Sequence, residues 1–139
     1  MSVDANKSAV WRYVEEGIDG GNLALCGELF VPDAVGHYPP ADLSIEGLSG
    51  MLRSFQSCQT AIHHLLGEDD LVSVRLTHHV TFTPDARFVS RLGTVEVGGK
   101  SVSWDAAAIF RFEGDRIAEW WINRDELTVL IQSGVVPSR

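Results

Sequence analysis

The chain has 139 residues, of which 45% are hydrophobic and 22% are charged, and its formal net charge at pH 7 is -8. This length and composition predict a single globular domain, 1–139, with a sizeable core, and they exclude a disordered chain. The acidic balance argues against binding to a phosphate backbone, so no nucleic-acid partner is expected.

No apolar run approaches the length that spans a membrane, and no signal peptide is visible at the N-terminus. The two cysteines, Cys26 and Cys58, lie in predicted helical patterns without metal-binding or redox spacing. This usage is typical of free thiols in a reducing compartment. We therefore expect a cytoplasmic protein with no membrane partner.

Helical periodicity dominates the N-terminal part of the chain. A first amphipathic helix is predicted over 4–20, and a second, shorter one follows Asn22. A short extended piece over 34–38 ends at two prolines, and a third helix is predicted over 44–59 with Ser44 as its cap.

The period then changes to two, which is typical of strands. We predict strands over 62–68, 71–82, 87–97, 100–112 and 116–122. Short turns join them, and such turns imply antiparallel pairing. A final helix is expected to begin at Asn123 or Asp125 and to end at Gly134. Helices followed by consecutive strands predict an α+β domain.

The last strand and helix carry a recognisable pattern: Arg-Phe, a glycine turn, Ile, Glu-x-Trp, an aspartate and Gln-x-Gly. The residues in these positions are Arg111, Phe112, Gly114, Ile117, Glu119, Trp121, Asp125, Gln132 and Gly134. Order and spacing resemble the C-terminal signature of the SnoaL-like polyketide cyclases, a branch of the nuclear transport factor 2-like superfamily. Earlier landmarks, including His37-Tyr38-Pro39, extend the resemblance over nearly the whole chain.

The resemblance implies the fold, a cone-shaped, curved antiparallel or mixed β-sheet wrapped on the N-terminal helices. It also implies cofactor-independent acid/base chemistry on a small hydrophobic carbonyl compound, with aldol cyclisation of a polyketide as the family prototype. The alternatives are an isomerase, a dehydratase or a hydrolase acting on another small hydrophobic molecule, or a binding domain without catalysis. Relatives usually pair their sheets, so a homodimer is expected.

Three side chains are candidates for proton transfer. Asp125 takes the position of the family's acid/base, but as a residue of the first helical turn it is equally well explained as a helix cap. His37 matches a family histidine and titrates in a suitable range, although it also fits a surface loop. His78 is the polar exception on an apolar strand face, where a hydrogen-bonded core histidine is the ordinary alternative.

Small side chains on one strand indicate a cavity. Ala106 and Ala108 share a strand side with Trp104 and Phe110, and this leaves room above the sheet. Alternation of large and small residues against a helix is the other explanation. The predicted substrate-binding side chains are Trp11, Phe55, Trp104, Ala106, Ala108 and Trp121.

Other chemistries receive little support from the sequence. His64, His78 and Asp125 together could supply three metal ligands, but no motif with fixed ligand spacing is present, so no metal is expected. The limonene epoxide hydrolases share the implied fold and carry an Arg-x-Asp pair on one strand, and no arginine of the predicted sheet has an aspartate two residues later. Asp105 and Arg111 are instead expected on the outer face.

Overall fold

The computed structural model describes residues 2–136, which form four α-helices, one π-helical segment and eight strands. Helix α1 continues directly into the π-helical segment, α2 precedes the first strand, α3 lies between two strands, and α4 follows the last strand. The elements are α1 (Val3–Arg12), the π-helical segment (Tyr13–Asp19), α2 (Leu25–Leu29), β1 (Phe30–Tyr38), β2 (Ala41–Leu43), α3 (Ile45–Arg53), β3 (Phe55–Glu68), β4 (Leu71–Phe82), β5 (Arg87–Ser90), β6 (Gly93–Glu96), β7 (Ser101–Glu113), β8 (Arg116–Arg124) and α4 (Glu126–Gln132).

Six strands form one curved mixed sheet in the order β2-β1-β8-β7-β4-β3. Strand β1 runs parallel to β8, and the other neighbours are antiparallel. Strands β5 and β6 pair only with each other, as a separate hairpin. The α+β class and the mixed sheet predicted from the sequence are confirmed.

One face of the sheet is buried and the other faces outward. In β4 and β7 every second side chain is buried, as the period-two pattern predicts. The outward side chains of these strands include Arg75, Asp105 and Ile109, all exposed. Asp105 and Arg111 both lie on this outer face as expected, but they bond to different partners, Thr77 and Glu119.

Side-chain caps explain where three of the helices begin. Ser2 accepts a hydrogen bond from the backbone N–H of Ala5 at the start of α1, and Ser44 accepts one from Gly47 at the start of α3. These oxygens satisfy backbone donors that the first helical turn leaves free. Asp125 caps α4 in the same way.

The predicted third helix, 44–59, was too long. Helix α3 ends at Arg53, and the chain enters β3 at Phe55. Phe55 pairs with Phe82 of β4 across the sheet, and the two rings pack edge to face. Pairing with β4 thus outweighs the helical pattern of the residues after Arg53, and these residues form a strand. Cys58 consequently lies in a strand, whereas Cys26 lies in α2 as predicted; both are free and buried.

The predicted strand 87–97 is two short strands. Gly93 has a φ of 115°, and the chain reverses around it between β5 and β6. Glycine permits this conformation because it has no Cβ. Among residues 2–136, no helix combines the length and apolar character needed to cross a bilayer.

Candidate active site

The concave face of the sheet encloses a cavity of about 720 Å³. Helical residues and the β5–β6 hairpin close it from the other sides, as the lining by Val14, Met51 and Phe88 indicates. Its walls are largely apolar and include eight aromatic side chains, which favours an apolar ligand with a flat ring system. The aromatic lining residues are Tyr13, Tyr38, Phe55, Phe82, Phe88, Trp104, Phe110 and Trp120.

His78 is the histidine that lines this cavity, and it is 6% exposed. Its Nδ1 atom lies 2.7 Å from the hydroxyl of Thr60 on the neighbouring strand β3. That hydroxyl donates to Asp19 Oδ1 at 2.7 Å, and the backbone N–H of Thr60 donates to Asp19 Oδ2 at 2.8 Å. The three residues form a continuous hydrogen-bonded chain, hereafter the Asp19–Thr60–His78 chain.

The proton positions in this chain follow from its chemistry. A hydroxyl has one proton, and Thr60 gives it to the Asp19 carboxylate. The contact to His78 Nδ1 therefore needs its proton from the imidazole, so Nδ1 carries the hydrogen. In a neutral ring the Nε2 lone pair is then free, and Nε2 has no hydrogen-bond partner within residues 2–136. A basic nitrogen is thus available at the cavity wall.

Burial keeps His78 uncharged at neutral pH. Removal from water lowers the pKa of His78 to about 4, the Asp19 charge opposes that change, and neighbouring His79 adds slightly to it. The Cys58 thiol lies 3.8 Å from His78 Nδ1, and burial raises the pKa of Cys58 to about 12. Both side chains are therefore neutral between pH 5 and 8.

The π-helical segment is what brings Asp19 to the sheet. Asp19 is its last residue, and its half-buried carboxylate reaches across to β3. Such segments widen a helix by one residue per turn and often occur at functional sites. Sequence reasoning missed Asp19 and Thr60, because neither stands out within the helix and strand patterns that contain them.

The same cluster contains the residues that could hold a metal ion. Ligand atoms of Asp19, Cys58 and His78 all lie within 4.8 Å of one another. The metal-ligand set considered from the sequence shares only His78 with this group; His64 and Asp125 are exposed elsewhere. Thr60 already bridges two of these residues, so a cation would have to displace its hydroxyl.

His37 lies on the outer face of the sheet, away from the cavity. Its Nε2 atom is 2.7 Å from Glu119, its Nδ1 atom is 2.9 Å from Asp42, and its ring stacks on Trp121. The bonds to Glu119 and then to Asp42 raise the pKa of His37. Glu119 also accepts a hydrogen bond from Arg111.

Asp125 is exposed and caps α4. One carboxylate oxygen accepts the backbone N–H of Thr128 at 3.1 Å, and the other accepts the Thr128 hydroxyl at 2.6 Å. Asp125 does not line the cavity that His78 lines. The structure therefore does not bring the three predicted catalytic side chains together, and a catalytic role for Asp125 or His37 stays a prediction.

The predicted substrate-binding residues divide into two groups. Phe55, Trp104 and Ala108 line the cavity. Trp11 is 43% exposed and Trp121 is 39% exposed, and neither lines the cavity, so substrate binding by these two residues stays a prediction. Strand alternation explains Trp121: its neighbour Trp120 points inward and takes the place predicted for it.

Ala106 is the sixth residue of that predicted group. It is 4% exposed, but it does not border the cavity, although it shares a strand side with Ala108. Ala108 therefore lies at the floor of the cavity, whereas Ala106 is packed within the core.

Arg124 is a cavity residue that sequence reasoning missed. It follows Trp120 and Ile122 at a spacing of two on β8, and all three line the cavity. The alternation that separates Trp120 from Trp121 could have identified it. Its side chain is 9% exposed, with the guanidinium 4.6 Å from the Phe88 ring centroid and 5.6 Å from that of Tyr38.

Known structures share this fold. AclR from Streptomyces galilaeus, a proposed hydroxylase, is 22% identical with a TM-score of 0.79, covering 99% of this chain and 86% of that one. A proposed SnoaL-like polyketide cyclase from Jannaschia sp. CCS1 is 18% identical with a TM-score of 0.77, over 96% and 94% of the two chains. IdmH from Streptomyces antibioticus, a proposed polyketide cyclase, is 24% identical with a TM-score of 0.70, over 94% and 99%.

Sequence comparison assigns the family. No curated protein sequence matches the chain. Residues 8–133 match the family model of the SnoaL-like polyketide cyclases. Because that match spans nearly the whole domain and the resemblance seen in the sequence agrees with it, the protein belongs to the SnoaL-like polyketide cyclase family.

Proposed function

We propose that the protein is an enzyme that binds a small, largely apolar carbonyl compound in the cavity and moves a proton at the carbon beside the carbonyl. The observation that carries the proposal is the Asp19–Thr60–His78 chain, which ends at a cavity wall with a free Nε2 lone pair. Aldol cyclisation, isomerisation and dehydration all begin with such a proton transfer.

In the proposed step, His78 Nε2 takes a proton from the carbon next to the carbonyl, and the electron pair of the broken C–H bond forms an enolate. The imidazolium that results donates through Nδ1–H to Thr60, whose hydroxyl donates to Asp19. The Asp19 carboxylate thus stabilises the positive charge through one intervening hydroxyl. In cyclisation the enolate carbon attacks a second carbonyl of the same molecule, and the His78 imidazolium returns its proton to the alkoxide that forms. In isomerisation the imidazolium returns the proton to another carbon of the enolate; in both cases His78 is neutral again and no added cofactor is needed.

The low pKa of His78 has two opposing effects on catalysis. A pKa of about 4 keeps the side chain in its base form throughout the neutral range. It also makes His78 a weak base, because basicity falls with the pKa of the conjugate acid. A developing enolate beside Nε2 in a dry cavity raises that pKa during the reaction, since opposite charges favour one another there.

A carbon-acid exchange assay tests the proposal without a known substrate. Aromatic ketones such as 2-tetralone are incubated with the protein in D₂O, and deuterium incorporation beside the carbonyl is followed by NMR. We expect exchange faster than in buffer, and a loss of about a hundredfold to ten-thousandfold in His78→Gln. The matched controls are His37→Gln and Asp125→Asn, which change the other two predicted acid/base residues; both are expected to retain exchange.

Full exchange in His78→Gln would contradict the assignment of the base, and full loss in Asp125→Asn would restore the family-based prediction. A second candidate function is ligand binding without catalysis, favoured by the weak basicity of His78. That function predicts ligand binding to the wild-type protein with no acceleration of exchange for any ketone of the series.

A further inference from the structure

The charged side chains that line the otherwise apolar cavity are mostly positive. Among residues 2–136, three arginines and one aspartate line it, although the whole chain has a net charge of -8. The charged lining residues are Arg53, Asp85, Arg87 and Arg124. His78 is neutral, so it does not alter this balance. An excess of cations in a low-dielectric cleft attracts anions.

Arg124 is the buried member of this group. Arg53, Asp85 and Arg87 are exposed, whereas the Arg124 side chain is 9% exposed. Burial lowers the pKa of Arg124, the direction expected for a cation removed from water. A buried guanidinium is costly unless its donors and its charge are both satisfied.

Protein groups satisfy only some of the hydrogen-bond donors of Arg124. Its Nη2 atom donates to the carbonyl of Val89 at 3.0 Å and lies 3.7 Å from Glu126 Oε2. Glu126 is held more closely by Arg91, at 2.6 Å to the guanidinium and 3.1 Å to the backbone N–H. Within the described part of the chain, Nε and Nη1 of Arg124 have no hydrogen-bond partner.

Aromatic rings fix the guanidinium in place. The Phe88 ring centroid lies 4.6 Å from Arg124 Cζ, and that of Tyr38 lies 5.6 Å from it. Stacking of this kind orients the planar donor fork without using its N–H bonds. A guanidinium of fixed orientation with free N–H donors is suited to donate charge-assisted hydrogen bonds to a carboxylate.

We infer that the natural ligand is an aromatic or polyketide-like carbonyl compound bearing a carboxylate, and that Arg124 binds this carboxylate while the apolar body packs against Trp104 and Trp120. The inference rests on the proposed function of the same cavity and adds the substrate class. Arg124 is then a specificity-determining residue, because a neutral ester or amide in the same place provides no negative charge for the buried guanidinium, whose Nε and Nη1 have no acceptor within residues 2–136.

Matched acids and amides test this in the unchanged protein. The probes are benzoate, 2-naphthoate and anthracene-2-carboxylate, each paired with its primary amide, which has nearly the same shape and no charge. Binding is measured at neutral pH by calorimetry and by quenching of tryptophan fluorescence. We expect at least one acid to bind about tenfold to a hundredfold more tightly than its amide.

Two variants assign the preference to a residue. Arg124→Met keeps the length and removes the charge, and it is expected to bring acid and amide affinities within about threefold while amide binding is retained. Arg75→Met makes the same charge change on the outer face and should leave the preference intact. If Arg124→Met does not fold, Arg124→Lys, which keeps the charge and loses the fork, is expected to reduce the preference about tenfold.

The outcomes separate this inference from the proposed function. Equal binding of acids and amides to the wild-type protein overturns the carboxylate inference and leaves the aromatic cavity and His78 in place. An acid preference that persists in Arg124→Met overturns the assignment to Arg124. Absence of binding for every pair overturns both the inference and the cavity's role as an aromatic-ligand site.

Discussion

Thr60 and Thr77 each bridge a histidine to an aspartate, but on opposite faces of the sheet. Thr60 connects His78 to Asp19 beside the cavity, with both oxygen contacts at 2.7 Å. Thr77 connects His63 to Asp105 on the exposed face, at 2.7 and 2.6 Å. The two trios contain the same groups in the same order and differ chiefly in exposure to water. The exposed trio therefore provides an internal control for the buried one.

Replacing Thr60 with valine should disrupt the inner trio. Thr60→Val keeps the shape of the side chain but removes the hydroxyl partner of the buried His78 Nδ1–H and of one oxygen of the half-buried Asp19, so we expect a destabilisation of about 1–3 kcal/mol. Proton exchange should fall as well, since Asp19 no longer stabilises the imidazolium. Thr77→Val, measured by the same denaturant titrations and NMR assay, should change stability by less than about 1 kcal/mol and exchange not at all. Equal effects in the two variants would refute a special role for Thr60.

The titration of His78 should make stability depend on pH in the acidic range. Its folded-state pKa of about 4 lies below the unfolded value near 6.5, so the unfolded chain binds more protons between these pH values. Stability should therefore rise as pH increases from about 4 to 6.5 and then level off, by at most about 3 kcal/mol from this group. Denaturant midpoints of His78→Gln should show a shallower rise over this range than those of the wild-type protein.

The hydrogen position on His78 can be observed directly. NMR of ¹⁵N-labelled histidines should show His78 neutral at pH 7, with the hydrogen on Nδ1. The Nε2–H tautomer would contradict the free lone pair on which the proposed chemistry depends. Loss of the Nδ1–H preference in Thr60→Val would tie the tautomer to the hydroxyl.

Two substitutions can distinguish a capping role of Asp125 from a catalytic one. Asparagine caps a helix as well as aspartate does, so Asp125→Asn should change stability by less than about 1 kcal/mol, whereas Asp125→Ala should cost about 0.5–2 kcal/mol. Because Asp125 is exposed and outside the cavity, we expect both folded variants to retain proton exchange. A stable but inactive Asp125→Asn protein would show that the family-based prediction of a catalytic Asp125 is right.

Ala108 and Ala106 should respond differently to enlargement. Ala108 borders the cavity, so the ring in Ala108→Phe can enter open space and should block ligand binding at little cost in stability. Ala106 is buried without bordering it, and Ala106→Phe should cost about 1–3 kcal/mol through overpacking. Thermal melts and binding of the aromatic probes measure the two effects. Equal melting temperatures for the two variants would contradict this difference.

The outer face of the sheet is where we expect the homodimer to form. Ile109 and Trp121 are cross-strand partners there, 44% and 39% exposed, which leaves an apolar patch on the sheet. Light scattering should show a dimer at micromolar concentration, and Ile109→Asp should shift it toward monomer. Val89→Asp, at another exposed apolar position, is the matched control and should leave the dimer intact. A monomeric wild-type protein would end this proposal.

The sequence by itself determined the class of fold, the strands with clear alternation and the family. These features follow from local signals in the sequence. The alternation of buried and outward side chains over the whole of β4 identifies a strand, and Asp125 marks the start of the helix that it caps. Alternation also separates Trp120 from Trp121 and reveals Arg124 beside Trp120, once the inward face is known.

Only the tertiary structure decided which polar side chains meet. The Asp19–Thr60–His78 chain joins the end of a π-helical segment to two neighbouring strands, across 41 and 18 residues of sequence. No local pattern encodes such a contact, because the folded backbone alone sets the distances between these groups. The start of β3 at Phe55 has the same origin, since its pairing with β4 outweighs a helical preference that spans only a few residues. The separation of His37 from the cavity likewise depends on which face of the sheet β1 turns inward, whereas Asp125 lies beyond the end of β8, where it caps α4.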